Sequence, residues 1–535
     1  MSAARAAGAG GGGAVGAQVI TEPLGGSPLS RAVQQRSLAP TLQPWSPATK
    51  EEWATHVTRA RRRAATDWYA RIESAIDPRG AAATRLARVV AERGVLVTTG
   101  QQAALFGGPL YTIAKALTAL TLADAIEAQL GVPAAPLFWA ATDDADWMEA
   151  RAAHVADGDG LHELALAAPP PAGTIMAHVK LPRDEMRALT ARLKRSCGSA
   201  TDPRYLALAS GAFSAGTLGG AYVAFLRELL QPLGIAVFDS SHDAYRQAAR
   251  PMLLGALASA EDIARALAEQ AAEIRRAGFE PQVQDERGLS LVFEIVDGGK
   301  RRLAIDEAKR AGERTAALAP NVLLRPLVER ELMPTVTYVG GPGEIAYFTQ
   351  TNAVARSLDC DPLVVAPRWS GTVIEPFAAR ALRRLGVEWR DVKDLHALER
   401  RLAAAALPRD VAAAWKRLRE QFHASMRDVA DAVGRHDLLE PPVLEGLERG
   451  IEHRLSRGER RLLAAVKRRE ERTRRDLGAV SAALFPLGGR QERILNYVPM
   501  LCREGETLMH RLRSAAAEHA GSVLRAAPAE AVAAL

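Results

Sequence analysis

Cysteine is scarce: the 535 residues hold only Cys197, Cys360 and Cys502, far apart, with no CxxC pair and no Cys/His cluster at metal-ligand spacing. This excludes a disulfide-stapled scaffold and a structural zinc site, so a reduced, cytoplasmic setting and no metal ligands are expected. No apolar run reaches the ~18 residues a membrane span needs, and the opening MSAARAAGAGGGGAVGAQ has neither a long apolar core nor a clear basic start. Neither membrane insertion nor export is expected. GxSxG, HExxH and a Walker loop are missing as well, and none of the eleven histidines except His154 falls in the segments richest in signal. Hydrolase and zinc chemistry lose ground.

Hydrophobic residues make up 48% and charged residues 24%, which implies packed cores, two or three of them at this length. The net charge of +7 is local. Between Arg449 and Arg475 eleven Arg or Lys face four Glu, so the rest of the chain is about neutral. A basic helical stretch of this kind reads as a solvated face, and no nucleic-acid partner is expected.

Residues 1–44, rich in Gly, Ala, Ser and Pro without periodicity, read as a flexible tail. Short β-type runs follow: VLVTTG (95–100), PLFWAA (136–141), IAVFDS (235–240), LVFEIV (291–296), TVTYVGG (335–341) and PLVVAP (362–367). Helical stretches at 109–129, 216–232, 243–276 and 342–358 separate several of them, the βα alternation of an open parallel sheet. An α/β, Rossmann-like core over 45–400 is expected. Uneven spacing places insertions near 155–210 and 280–320, the second with a hairpin turning at DGG, 297–299. Beyond Leu407 long helices take over. Val411, Trp415, Leu418 and Phe422, then Leu444, Leu447, Ile451 and Leu455, form apolar stripes on two helices joined by DLLEPP, predicting an antiparallel coiled-coil arm over 401–480. Residues 481–535 should return to the core.

Four segments could carry chemistry. In VLVTTGQQAALFGGPLYTIAKAL (95–117) a strand ends before Gln101 and Gln102, and Gly107-Gly108-Pro109 opens a helix whose N–H groups suit an anion. TVTYVGGPGEIAYF (335–348) repeats the design with Gly340, Gly341, Gly343 and, in the first turn, Glu344, which reads either as a cap or as a substrate group. Asp143, Asp144 and Asp146 follow a third strand, where carboxylates could bind an ammonium, hold Mg²⁺ with a nucleotide, act as a base, or form an ordinary polar loop. Arg368 and Ser370 follow a fourth, where a guanidinium could grip a carboxylate or phosphate with two hydrogen bonds.

These same segments resemble the bacillithiol-pathway cysteine-adding enzymes, the BshC family. TGQQAALFGGPLYTIAKAL, NVLLRPLVERELMPTVTYVGGPGEIAYF, PRWSGTVIE and LFPLGGRQERILN are similar to that family's blocks, in its order, over roughly residues 90 to 500. The resemblance implies a core like that of class I aminoacyl-tRNA synthetases and related nucleotidyltransferases, an arm used to form a homodimer, and amide formation between cysteine and a glucosaminyl-malate acceptor. ATP is the implied cofactor, with Mg²⁺. The residues carried over are Asp144, Asp146 and Glu344 as catalytic, and Gln101, Gln102, Gly108, Tyr111, Gly341, Gly343, Arg368 and Ser370 as substrate-binding. One departure stands out: where the family reads EDHD, this chain has Asp143-Asp144-Ala145-Asp146, and Arg151-Ala152 replaces the NH pair that follows. A different acceptor, another amino acid, or a scaffold on the same fold are the alternatives.

Overall fold

The structure, a computed structural model, describes residues 16–525 apart from 285, 309, 311–314, 362, 437 and 470. They fall into two compact units, one drawn from 1–156, 162–375 and 490–535, the other from 157–161 and 376–489.

Five of the expected β runs build the first unit's sheet: β1 (Val95–Gln102), β2 (Ala134–Ala141), β3 (Ala236–Asp239), β4 (Thr335–Gly340) and β5 (Val365–Pro367). Their order is β3-β2-β1-β4-β5 and every neighbouring pair is parallel. All six residues of β4 and the first six of β1 are buried, which explains why these strands read as continuous apolar and β-branched runs rather than alternating ones. Val95 and Val97 enter the apolar cluster on one face and Leu96 the cluster on the other. With its first strand central, the sheet reverses its winding between β1 and β4, and a crevice opens outside their carboxyl ends.

The helix Leu110–Leu130 packs on this sheet and under the helix Val498–Leu524, and 14 of its 21 residues are buried, so it is apolar almost all round. Pro342–Ser357 follows β4 in the same way. The predicted helix 243–276 is two helices, Asp243–Ala258 and Ala260–Arg276, broken at Ser259.

Between the sheet strands lie two longer stretches. A hairpin, Ala152–Asp157 and Gly160–Ala165, and the helices Arg183–Cys197 and Arg204–Ala212 separate β2 from β3. LVFEIV is corrected: it belongs to Leu289–Val296, the middle strand of a separate three-stranded antiparallel sheet. Its hairpin to Gly299–Ala304 turns at Asp297 and Gly298, φ 51° and 77°, the positive pair that a two-residue turn of this type requires and that Asp-Gly supplies.

The flexible tail is also corrected for residues 16–44. Gln18–Thr21 pairs antiparallel with Gly371–Ile374, and the helix Pro28–Gln34 buries Leu29 and Val33. Gly/Ala/Ser/Pro composition hid a strand only four residues long that gains its partner from a distance of some 350 positions.

The main stretch of the second unit runs from Pro376 to Gly489. Arg384 holds Asp476 with two hydrogen bonds and Trp389 stacks on Phe485 at 6.1 Å, so the helices before the arm belong with the helix Glu471–Leu484 after it. The arm itself is Arg409–Arg435 and Pro441–Arg469. Arg419 reaches Glu452 and Glu459, both at 3.1 Å, and His423 reaches Glu448 at 3.0 Å; rising numbers on one helix meet falling numbers on the other, so the pair is antiparallel. Among the described residues no helix is long and apolar enough to cross a membrane.

Candidate active site

The crevice between β1 and β4 is a cavity of about 780 Å³. A lysine lies at its floor. Lys115, one turn beyond Tyr111 on the buried helix Leu110–Leu130, is 3% exposed and donates to Gly100 O at 2.7 Å, to Gln101 Oε1 at 3.0 Å and to Glu344 Oε2 at 2.6 Å. Burial lowers its pKa against the pull of Glu344. Glu344 also accepts from Tyr338 Oη and from Gly341 N, both at 2.6 Å. Burial opposes its ionisation, but Lys115, Tyr338 and the Gly341 N–H together hold the carboxyl below its ordinary range. Glu344 is therefore a cap and a cavity residue at once.

Around this pair the wall is polar and largely satisfied. Gln102 Nε2 donates to Asp144 Oδ2 at 2.6 Å, and Asp144 Oδ1 accepts from the backbone of Ala145 and Asp146. Asp143 meets Lys300 at 3.2 Å and Ser240 at 2.5 Å. Arg325 lies over the rings of Tyr338 and Trp139, centroids 4.7 and 5.6 Å away, and pairs with the buried Glu329 at 2.7 Å. Arg493, from the closing QERILN segment, lines the cavity without an ion-pair partner among the described residues.

Of the expected site residues, Gln101, Gln102, Tyr111, Asp144, Gly341, Gly343, Glu344 and Arg368 line this cavity. Gly108, Asp146 and Ser370 do not. Asn496 Nδ2 donates to the carbonyls of Phe106 and Gly108, both at 2.8 Å, and Leu110 N–H goes to Leu495 O, so the glycine–proline helix start expected to cradle an anion is filled by the chain's own closing segment. Asp146 caps the short helix Trp147–Ala150 through Glu149 N. Arg368 does grip a carboxylate with both terminal nitrogens, each at 2.8 Å, but it is that of Glu492, which also accepts from Ser370 at 2.9 Å. This corrects the expectation of an acidic substrate group on Arg368: the pair is a staple, 2% and 3% exposed at its two side chains.

Sequence reasoning passed over Lys115, Glu149, Arg325 and Arg493. A lone lysine four positions after a tyrosine in an otherwise apolar helix was a usable signal, since only a partnered charge persists there. Glu149 and Arg493 carried none, because exposed charges are common and only the tertiary fold brings these two, still solvent-exposed, to the cavity wall. Among the described residues no group of His, Cys, Asp or Glu is arranged to hold a metal.

Fold and cavity define a doubly wound α/β protein with a ligand-sized site at its switch point and a separate coiled-coil domain. Residues 39–369 match the family described as bacillithiol biosynthesis BshC, N-terminal Rossmann-like domain, and residues 371–523 match its C-terminal coiled-coil domain. The chain belongs to the BshC family. Among its relatives, a protein of Solibacter usitatus named "Putative cysteine ligase BshC" is 32% identical over 80% of this chain and 83% of its own length. One of that name from Heliobacterium modesticaldum is 30% identical over 86% and 91%, and one from Geobacillus kaustophilus 27% over 79% and 82%.

Proposed function

We propose that this protein is a cytoplasmic ligase that forms an amide between the carboxyl of L-cysteine and the amine of a glucosaminyl-malate acceptor, the last step of bacillithiol synthesis, with ATP activating the carboxyl. The observation that carries this reading is the cavity itself. Its volume, about 780 Å³, lies in the upper range of small-molecule sites, and its wall combines the Lys115–Glu344 pair, the carboxylates of Asp144 and Glu149, and the guanidinium of Arg493. Substrates that are zwitterionic, carboxylated and amine-bearing need that mixture of signs. The named activity of relatives aligned over most of the chain supports the same reading.

A nucleotide's phosphates fit Arg493, the cavity cation that no carboxylate among the described residues neutralises; both glycine–proline helix starts are taken, by Leu495 and by Glu344. ATP would supply a phosphate leaving group on the cysteine carboxyl. With four of the five described cavity carboxylates held by cations or by sets of hydrogen bonds, Mg²⁺ would arrive on the phosphates rather than in a protein cage. Within the site Gln102 and two backbone N–H groups fix Asp144 facing the cavity, and Lys115 fixes Glu344, so the wall is set before substrate arrives.

The test is direct: purified protein is incubated with cysteine, glucosaminyl malate, ATP and Mg²⁺, and the amide is sought by mass spectrometry, with each component omitted in turn. Product that depends on every component supports the proposal. Its absence with all present sinks it, and product without nucleotide sinks the ATP dependence alone.

A further inference from the structure

Among the described residues five acidic side chains line the cavity: Asp143, Asp144, Glu149, Glu286 and Glu344. Four are committed. Asp143 is paired with Lys300, Glu286 with Arg302 at 2.9 Å, and Glu344 with Lys115; Asp144 is held by Gln102 and two backbone N–H groups. Each would lose a cation or a set of hydrogen bonds on taking a proton. Glu149 differs. Its Oε1 accepts only from neutral donors, Tyr111 Oη at 3.1 Å and Gln101 Nε2 at 3.3 Å, while Oε2 takes no hydrogen bond among the described residues, and the side chain lines the cavity where it is open to solvent. Among the described residues no histidine lines this cavity, and Ala145, at the position where the resembled family has one, does.

We propose that Glu149 is the general base of the amide-forming step, positioned by Tyr111 and Gln101. This rests on the ligase reading above. The acceptor's amine nitrogen attacks the carbonyl carbon of cysteine's carboxyl, already activated by a nucleoside triphosphate. The C–N bond forms, the C–O bond to the phosphate leaving group breaks with its electron pair departing on oxygen, and the proton lost by nitrogen passes to Glu149 Oε2. The charged surroundings suit the task. Partial desolvation raises the Glu149 pKa; Tyr111 lowers it through its hydrogen bond, the neighbouring Asp146 and Asp144 raise it, and Lys115 lowers it, with the net shift upward. A carboxylate moved toward neutrality is a better proton acceptor than one held low, as Glu344 is.

The experiment compares wild type with Glu149→Gln and Glu149→Ala, using cysteine, glucosaminyl malate and ATP with Mg²⁺ across a pH series. Glu149→Gln should lower kcat by ~10²–10⁴-fold with little change in the acceptor KM, and the rise of kcat/KM with pH seen in wild type should disappear. Added acetate should restore part of the lost rate to Glu149→Ala in proportion to its concentration, which a merely structural role would not produce. Full activity of Glu149→Gln, an unchanged pH profile, or loss appearing only in KM overturns the assignment. Failure of wild type itself to form product would instead sink the ligase reading, and this role with it.

Discussion

Glu344 shows how one side chain can satisfy a local rule and a distant one. From its position in the first turn it caps the Gly341 N–H, and from its burial it must also answer Lys115, so replacing it cannot be silent. Glu344→Gln keeps the shape but leaves Lys115 buried beside a neutral group; loss of about 3 kcal/mol of stability is expected, read by urea denaturation, together with loss of activity. An unchanged denaturation midpoint would show the pair to be weakly coupled. A second residue-scale prediction concerns His56, 1% exposed, whose Nε2 lies 2.6 Å from Val336 O and whose Nδ1 has no partner among the described residues. Desolvation pushes its pKa down from 6.5 to about 4. The unfolded chain therefore takes this proton first, so the contribution is fully present above pH 6.5 and is lost as pH falls toward 4, up to about 3 kcal/mol in all. His56→Gln should flatten that part of the stability–pH curve; an identical slope in the variant would assign the effect elsewhere.

At the scale of elements, the closing segment 490–497 does what no single motif suggested. Glu492 clamps Arg368, Gln491 bonds both backbone groups of Val373, and Asn496 fills the start of the helix Leu110–Leu130. Asn496→Ala orphans two buried carbonyls, and about 2–4 kcal/mol of destabilisation is expected by thermal or chemical melting. The arm makes a separate prediction. Leu418 and Leu447 remain 44% and 52% exposed, Val443 54%, and none of the described residues of Arg409–Arg435 is buried. Such apolar surface on a two-helix arm is expected to be covered by a second copy. Charged replacements, Leu418→Glu with Leu447→Glu, should turn dimers into monomers in sedimentation; dimers that persist would place self-association elsewhere. The helical stripes on Val411, Trp415 and Phe422 were legible because a 3.6-residue period shows wherever one face is apolar. The four-residue strand Gln18–Thr21 was not, being too short to show any period.

Over the whole first unit, both ends of the chain close on the middle. Gln18–Thr21 pairs with Gly371–Ile374, Ala17 N donates to Glu504 at 2.7 Å, and Arg490 donates to the carbonyls of Pro23 and Leu24 at 2.8 and 2.9 Å. Removing residues 1–24 is therefore expected to lower the melting temperature by several degrees, where a free tail would leave it unchanged. By itself the sequence determined the α/β class, the strands of the sheet, the Asp-Gly hairpin and the helical arm, because each depends on the periodicity or turn chemistry of a few neighbouring residues. It also pointed to part of the cavity wall, eight of the expected site residues, since strand ends at a switch point gather in one place. Which charges meet there was decided by tertiary structure alone. Arg368 spends its fork on Glu492, 124 positions away, Lys115 finds Glu344, and Glu149 is left with neutral partners, because a buried charge is governed by whatever the fold brings within hydrogen-bonding distance and not by its neighbours along the chain.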